Sequence, residues 1–104
     1  MEILSSIQEK FNLNLFEFSK HAADRMILRH IAVNEVREAI NSGEVIEDYP
    51  QDKYGPSCLI LGKTKQKRFL HIQCSYPSRS LVKVITVYEP DPNEWSSFRV
   101  RKSK

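Results

Sequence analysis

The chain has 104 residues and a mass of 12.1 kDa, enough for a single domain, 1–104, and its 40% hydrophobic and 28% charged residues are typical of globular proteins. Only 3 glycines and 5 prolines argue against a collagen-like fibre or a disordered low-complexity chain. The net charge of +3 is unevenly spread, because residues 1–52 hold 5 basic and 10 acidic side chains whereas residues 53–104 hold 11 and 3. This asymmetry favours a polyanionic or acidic partner, unless the two halves neutralise each other in the fold.

Helical spacing of apolar residues predicts three helices in the first half of the chain. The first covers residues 3–11 and belongs to an N-terminal extension, residues 1–14. The second begins after Ser19, a typical N-cap, and runs to about Arg29. The third covers 33–41, and we expect Gly43 to end it in a left-handed conformation.

The pattern changes after Gly43 to one typical of strands. Four strands are predicted at residues 44–49, 57–62, 68–75 and 80–88, and residues 15–18 fit a brief additional strand. The predicted fold class is therefore α+β, with two to three N-terminal helices packed on a four-stranded antiparallel meander sheet. Residues 15–90 are the expected core, and residues 91–104 a polar tail anchored by Trp95.

Alternation along the strands assigns side chains to two faces of this sheet. The apolar face, expected under the helices, carries Cys58, Ile60, Leu70, Ile72 and Cys74. The opposite face, here called the mixed face, carries Leu59, Leu61, Phe69, His71, Gln73 and Lys83. By the same alternation Thr86 and Tyr88 should face the helices, unless a bulge turns them.

Several classes of site are disfavoured by the spacing of ligand residues. His71 and Cys74 lie three apart on one strand, so they point to opposite faces and do not suit one metal ion. There is no Cys-x-x-Cys motif and no Gly-rich phosphate loop, so we expect no metal and no cofactor. Without a secretory signal or a membrane span, we expect a cytoplasmic protein with no membrane partner and with Cys58 and Cys74 as unpaired, inaccessible thiols.

The clearest constellation is a stripe of His21, Arg25 and Arg29 along one edge of the second helix. Like charges at this spacing destabilise a helix by about 0.2–0.5 kcal/mol, so helix stability does not explain them. One interpretation is a phosphate clamp with a titratable imidazole. The other is a set of structural ion pairs with Asp24, Glu47 or Asp48. His71 leaves a similar choice between a structural strand histidine and a functional base beside Lys83 and Gln73.

The motifs resemble those of a family of small bacterial proteins known only as a domain of unknown function. The resemblance covers about residues 19–102 and rests on these segments: His21-Ala22-x-x-Arg25-Met26-x-x-Arg29-x-Ile31, Gly43–Pro50, Pro56–Gly62, Leu70-His71-Ile72, Ile85–Pro90 and Trp95…Arg101-Lys102. That family is distantly similar to BrnT and RelE type toxins, which are small α+β endoribonucleases.

This resemblance implies a toxin-like endoribonuclease. Such an enzyme needs no metal, because the 2′-hydroxyl of RNA is the internal nucleophile. It implies His21, Arg25 and His71 as catalytic residues and Arg29, Arg68, Lys83 and Arg101 as substrate-binding residues. Its implied partners are RNA, a cognate antitoxin and a second copy in a homodimer. The site is expected between the exposed edge of the second helix and the mixed face.

Two alternatives stand beside the enzyme, and the structure can discriminate among them. The enzyme requires both histidines and Arg25 to converge on one pocket. A non-catalytic RNA- or antitoxin-binding module requires only an available basic surface. A structural or interaction protein requires every arginine to be paired with a carboxylate.

Overall fold

The computed structural model describes residues 2–102 and contains three helices in the first half of the chain: α1 (Glu2–Asn12), α2 (Lys20–Arg29) and α3 (Val33–Asn41). Ser19 caps α2 as predicted, since its hydroxyl accepts a hydrogen bond from the backbone N–H of Ala22 at 3.0 Å. Within residues 2–102, no helix combines the length and apolar character needed to cross a bilayer.

The strands are β1 (Phe16–Phe18), β2 (Glu44–Tyr49), β3 (Ser57–Lys63), β4 (Phe69–Ser75), β5 (Val82–Tyr88), β6 (Trp95–Ser96) and β7 (Val100–Arg101). The fold is α+β, as predicted, but the main sheet has five strands in the order β1-β5-β4-β3-β2. β1 pairs parallel to β5, so the expected four-stranded antiparallel sheet is corrected to a mixed one. Phe16 and Phe18 pack against the core, which holds this short strand at the sheet edge.

All three helices cover one face of the sheet, here called the helix face. The predicted set Cys58, Ile60, Leu70, Ile72 and Cys74 lies fully buried there, together with Ile7 and Phe11 of α1 and Ala22 and Met26 of α2. Both cysteines are free and buried, as expected.

Two glycines allow α3 to approach β3 closely. A Cβ atom at Gly62 would lie 1.8 Å from the carbonyl oxygen of Ala39, and one at Gly43 would lie 2.6 Å from Cγ2 of Ile60. Gly43 does not end α3 in a left-handed conformation as predicted, because Ser42 forms the cap with an ordinary φ of −97°. Both glycines therefore serve packing rather than turning.

A bulge in β5 overturns one face assignment. Gln73 pairs with Thr86, but the next pair joins Cys74 to Val84, so Ile85 is an extra residue in β5. Beyond it Thr86 and Tyr88 turn away from the helices and share the mixed face with His71 and Gln73.

The C-terminal segment is more than a polar tail with one anchor. β6 and β7 form a small antiparallel hairpin in which Trp95 pairs with Arg101. Trp95 is only 3% exposed and packs against His71 on the mixed face, with their ring centroids 4.4 Å apart. The hairpin thus covers the part of the mixed face around His71.

Candidate functional site

The structure does not bring the three predicted catalytic residues together. His21 and Arg25 are exposed on α2, whose buried residues pack on the helix face. His71 lies on the other face, because its strand neighbour Ile72 points into the core beneath the helices. The five-stranded sheet therefore separates the two histidines, and the single site expected between α2 and His71 does not form.

His71 is fully buried and both its ring nitrogens are hydrogen-bonded. Nε2 lies 2.7 Å from the carbonyl oxygen of Phe98, which only accepts, so Nε2 carries the proton. Nδ1 then accepts from the hydroxyl of Tyr88 at 3.1 Å. Burial lowers the pKa of His71 below its ordinary value and raises that of Tyr88. These contacts match the structural alternative for His71.

Beside His71, an ion pair closes the edge of the mixed face. Nε and Nη2 of Arg101 donate to the carboxylate of Glu47 at 3.0 to 3.3 Å, and the guanidinium stacks 4.7 Å from the centroid of the Trp95 ring. Burial works to raise the pKa of Glu47, but hydrogen bonds from Arg101 and Tyr49 outweigh it and hold that pKa below its usual range. Burial and the contact with Glu47 raise the pKa of Tyr49 to about 12. Arg101, expected to bind substrate, is thus already engaged.

Arg68, another expected substrate-binding residue, joins four acceptors. It contacts the carboxylates of Glu35 and Glu89, and it donates to the carbonyl oxygens of Arg29 and His30 at 2.8 and 2.9 Å. These bonds tie the C-terminal end of α2 to α3 and to the end of β5. Arg68 therefore connects α2, α3 and the end of β5.

Arg29 also has an intramolecular partner, while Arg25 has no hydrogen bond or ion pair through its side chain in the described part of the chain. The Arg29 guanidinium donates at 3.1 Å to the carbonyl of Val87, on the β5 edge beyond the end of β1. Arg25 is exposed and forms no ion pair among residues 2–102. The proposed pairing of Arg25 with Asp24, Glu47 or Asp48 is therefore absent from the described part of the chain.

The acidic and basic halves of the chain neutralise each other only in part. Arg68, Arg99 and Arg101 of the basic half pair with acidic side chains of the first half: Glu35, Glu44 and Glu47. In the described segment 2–102, Arg79 and Lys83 form no ion pair with any carboxylate. The condition for a purely structural protein, that every arginine is paired with a carboxylate, is not met.

Arg79 and Lys83 line one cavity of about 250 Å³ at the end of the sheet. The β2–β3 loop forms one wall with Asp52 and Tyr54, and the β4–β5 loop and β5 form the other. Ser19, the N-cap of α2, also lines this cavity, so the N-terminus of α2 lies at its rim. We call this space the basic cavity.

The wall formed by the β2–β3 loop is held by hydrogen bonds. Asp52 Oδ2 accepts from the hydroxyl of Ser57 at 2.8 Å, and that hydroxyl accepts from Nε2 of Gln73 at 3.2 Å. The backbone N–H groups of Asp52 and Gly55 close turns onto the carbonyls of Tyr49 and Asp52. These bonds hold the carboxylate of Asp52 and the backbone of the loop in place.

Sequence reasoning found Lys83 but missed the other polar residues of the basic cavity. Arg79, Asp52 and Tyr54 lie in turn segments, where no helix or strand period predicts the direction of a side chain. The one usable signal was topological, since the loops after the 44–49 strand and after the 68–75 strand lie at the same end of an antiparallel meander.

Within residues 2–102, no three His, Cys, Asp or Glu side chains are arranged to hold a metal ion.

Comparison with known proteins gives a family without an assigned activity. A family model described as a domain of unknown function, DUF4258, matches residues 18–89. No curated protein and no solved structure matches the chain significantly. The matched region runs from the last residue of β1 to just past the end of β5, and it contains His21, Arg25, His71 and all residues of the basic cavity. The chain therefore belongs to the DUF4258 family.

Proposed function

We propose that the protein binds single-stranded RNA without cleaving it, through the basic cavity and the adjoining edge of α2. The observation that carries this proposal is the presence of Arg79 and Lys83 in one cavity without a carboxylate partner among residues 2–102. The lining also includes the carboxylate of Asp52, which forms an ion pair with neither cation, so the cavity keeps a net positive charge. Such a charge attracts a polyanion, and binding releases its condensed counterions.

The position of the basic cavity supports an RNA-binding role at the level of the family. Every residue that lines it lies within residues 18–89, the range of the family match. Two other depressions, each of about 590 Å³, are lined partly by α1 or by Arg101 and so depend on residues outside the matched range. A third, of about 720 Å³, lies within that range and places the acidic Glu38 beside Arg37, Lys63 and Lys65.

Binding is favoured over cleavage by the distribution of the candidate bases. Cleavage needs a group within hydrogen-bond reach of the attacking hydroxyl and a cation at the phosphate. Neither His21 nor His71 lines the basic cavity, and His71 has both nitrogens occupied. The resemblance to BrnT and RelE type toxins is consistent with RNA as the partner. A cognate antitoxin, a homodimer and a cytoplasmic location belong to the same proposal.

The test measures binding of a fluorescein-labelled oligo(U) by anisotropy over a range of salt concentrations. We expect Lys83→Ala and Arg79→Ala each to weaken binding about 3- to 10-fold at low salt and to reduce the log–log salt slope by about 0.7. Lys67→Ala is the matched control, because Lys67 is an exposed cation in the β3–β4 loop at the other end of the sheet. Its effect on affinity should be smaller.

Two results would overturn the proposal. One is an absence of oligo(U) binding by the wild-type protein at low salt, and the other is a Lys83→Ala/Arg79→Ala double variant that binds like the wild type. Electrophoresis of the same oligonucleotide after long incubation tests the non-catalytic part. Intact RNA is expected, and cleavage that His21→Ala abolishes would instead support the enzyme.

A further inference from the structure

The basic cavity carries an exposed aromatic ring next to its two cations. Tyr54 lines the cavity with 82% of its surface exposed, and the ammonium of Lys53 lies 5.4 Å from its ring centroid. An aromatic ring on the rim of a cationic cavity suits the stacking of a nucleobase, which has a π face whatever its sequence. The ligand indicated by this pair of features has both an anionic group and a flat ring.

Asp52 adds a requirement that a bare phosphate chain does not satisfy. Asp52 lines the cavity, and its Oδ2 accepts from Ser57, while its Oδ1 has no hydrogen bond to any residue between 2 and 102. A phosphate diester carries no proton to donate to a carboxylate, whereas the ribose 2′-hydroxyl is both a donor and an acceptor. A carboxylate acceptor beside two cations therefore fits a ribonucleotide unit better than its deoxy counterpart.

The loop that carries Tyr54 and Asp52 is also in contact with one of the cations. Gly55 has a φ of +110°, and a Cβ atom there would lie 3.3 Å from Nη2 of Arg79. The Arg79 guanidinium thus lies against the backbone of the β2–β3 loop. The guanidinium of Arg79, the ring of Tyr54 and the carboxylate of Asp52 therefore line the same cavity, with Arg79 in contact with the loop that carries the other two.

The size of the cavity limits how much of an RNA strand it accepts. Pockets for drug-sized ligands span about 300–1,000 Å³, and the basic cavity, at about 250 Å³, lies below that range. This volume suits the phosphate and ribose of one nucleotide, with the base outside on the exposed Tyr54 ring. The rest of the strand would then follow the α2 edge, where Arg25 is available.

We infer that the basic cavity is the site of one ribonucleotide of a single-stranded RNA, with its phosphate between Arg79 and Lys83, its base stacked on Tyr54 and its 2′-hydroxyl donating to Asp52. This inference rests on the proposed RNA binding and specifies the ligand unit at that same cavity. It predicts a dependence on the base and on the 2′-hydroxyl that general attraction of a polyanion does not produce.

The test uses three ligands with matched chemistry: oligo(U), oligo(dU) of equal length, and inorganic polyphosphate, which has no bases. We expect Tyr54→Ala to weaken oligo(U) binding by about 10-fold and to leave polyphosphate binding unchanged, with Tyr54→Phe close to the wild type. Because Tyr54 is exposed, its truncation should not alter the fold, which circular dichroism checks.

Asp52→Asn tests the 2′-hydroxyl contact. The wild type should bind oligo(U) more tightly than oligo(dU), and Asp52→Asn should bring the two affinities together. Glu94→Gln is the control, because it removes the same charge from an exposed position outside the cavity and should keep the preference for RNA.

The outcomes separate this inference from the proposed function. If Tyr54→Ala binds oligo(U) like the wild type, or if the wild type does not distinguish oligo(U) from oligo(dU), the nucleotide site is refuted while RNA binding stands. If the wild type binds none of the three ligands at low salt, the proposed function itself fails. Loss of base and 2′-hydroxyl dependence in the two variants, with polyphosphate binding retained, supports the site.

Discussion

The buried imidazole of His71 should make the stability of the protein depend on pH in a specific window. Burial lowers its pKa below the ordinary value of 6.5, so the folded protein keeps the ring neutral where the unfolded chain protonates it. The unfolded state therefore binds more protons below about pH 6.5. The stabilising contribution of neutral His71 is complete above that pH and is lost as the pH falls toward the folded-state pKa.

The magnitude follows from one proton and two hydrogen bonds. Uptake of one proton on unfolding gives a slope of at most about 1.4 kcal/mol per pH unit. Protonation also forces the Tyr88 hydroxyl to turn and accept from Nδ1, and it places a buried positive charge near Arg101. Replacing His71 by Gln loses aromatic contacts with Trp95 and at least one ring hydrogen bond, which should cost about 1–3 kcal/mol at pH 7.5.

The assay is urea unfolding of the wild type and His71→Gln at several pH values from 7.5 down to about 5. This range lies above 4.5, the ordinary pKa of Glu47. Because the pKa of Glu47 is lowered in the folded protein, its contribution to stability is lost only as the pH falls below 4.5. We expect the difference in free energy of unfolding between the wild type and His71→Gln to become steadily smaller below pH 6.5. His21→Gln is the control, since that side chain is exposed on α2.

A constant difference between wild type and His71→Gln across the whole range would refute this reasoning. It would mean that His71 titrates alike in the folded and unfolded states, so that the hairpin does not desolvate it. If the difference in free energy of unfolding between the wild type and His21→Gln narrowed by the same amount, the effect would belong to another titratable group.

Two further changes test how the helices are attached to the sheet. Arg68→Ala should destabilise the fold by about 2–3 kcal/mol, because two carboxylates and two carbonyls lose their donor. Arg25→Ala, the control, should change the free energy of unfolding by no more than about 0.5 kcal/mol. Equal melting temperatures for the two variants would contradict the role of Arg68 in connecting the helices to the sheet. Gly62→Ala should cost about 2 kcal/mol or more, because its new Cβ would press on α3 at 1.8 Å from the Ala39 oxygen. Chemical denaturation of Gly62→Ala measures this, and a cost below about 1 kcal/mol would show that α3 yields easily.

Local signals in the sequence predicted most of the elements. Ser19 as an N-cap and the apolar spacing that follows it located α2 to the residue, and α3 likewise matches its predicted range. Alternation in β3 and β4 predicted the buried face correctly, since these strands pair without a bulge from Ser57 opposite Ser75 to Lys63 opposite Phe69. Where structure is local and regular, period and capping were sufficient.

Three features escaped because their causes are not local. β1 has only three residues, and its partner Val82 lies far along the chain, so no periodicity reveals a parallel pair. The bulge at Ile85 involves no glycine and therefore leaves no mark in the sequence. The β6–β7 hairpin turns through Ser97 and Phe98 at φ of 52° and 61°, positions where the glycine or asparagine typical of hairpin turns is missing.

The candidate site shows the same division between local and long-range information. Exposure of His21 and Arg25 followed from helical spacing, and the common face of His71, Gln73 and Lys83 followed from strand alternation. The distance between the α2 residues and His71 depends on which face of the sheet α2 covers. Helical spacing shows only which side of the helix is buried, so it could not predict that face. The pairing of Arg101 with Glu47 likewise required the fold of the C-terminal hairpin.

The two halves of the mixed face are built by different parts of the chain, and this separates packing from binding. Trp95 and Phe98, which enclose His71, lie beyond residue 89 and thus outside the family match. The basic cavity is built entirely from residues inside it. Phe98 of the hairpin occupies Nε2 of His71 and Tyr88 of β5 occupies Nδ1, so that ring has no free nitrogen for a substrate, whereas Arg79 and Lys83 form no ion pair among residues 2–102. We therefore propose the basic cavity, at the end of the sheet farthest from the β3–β4 loop, as the surface that this chain offers to a partner.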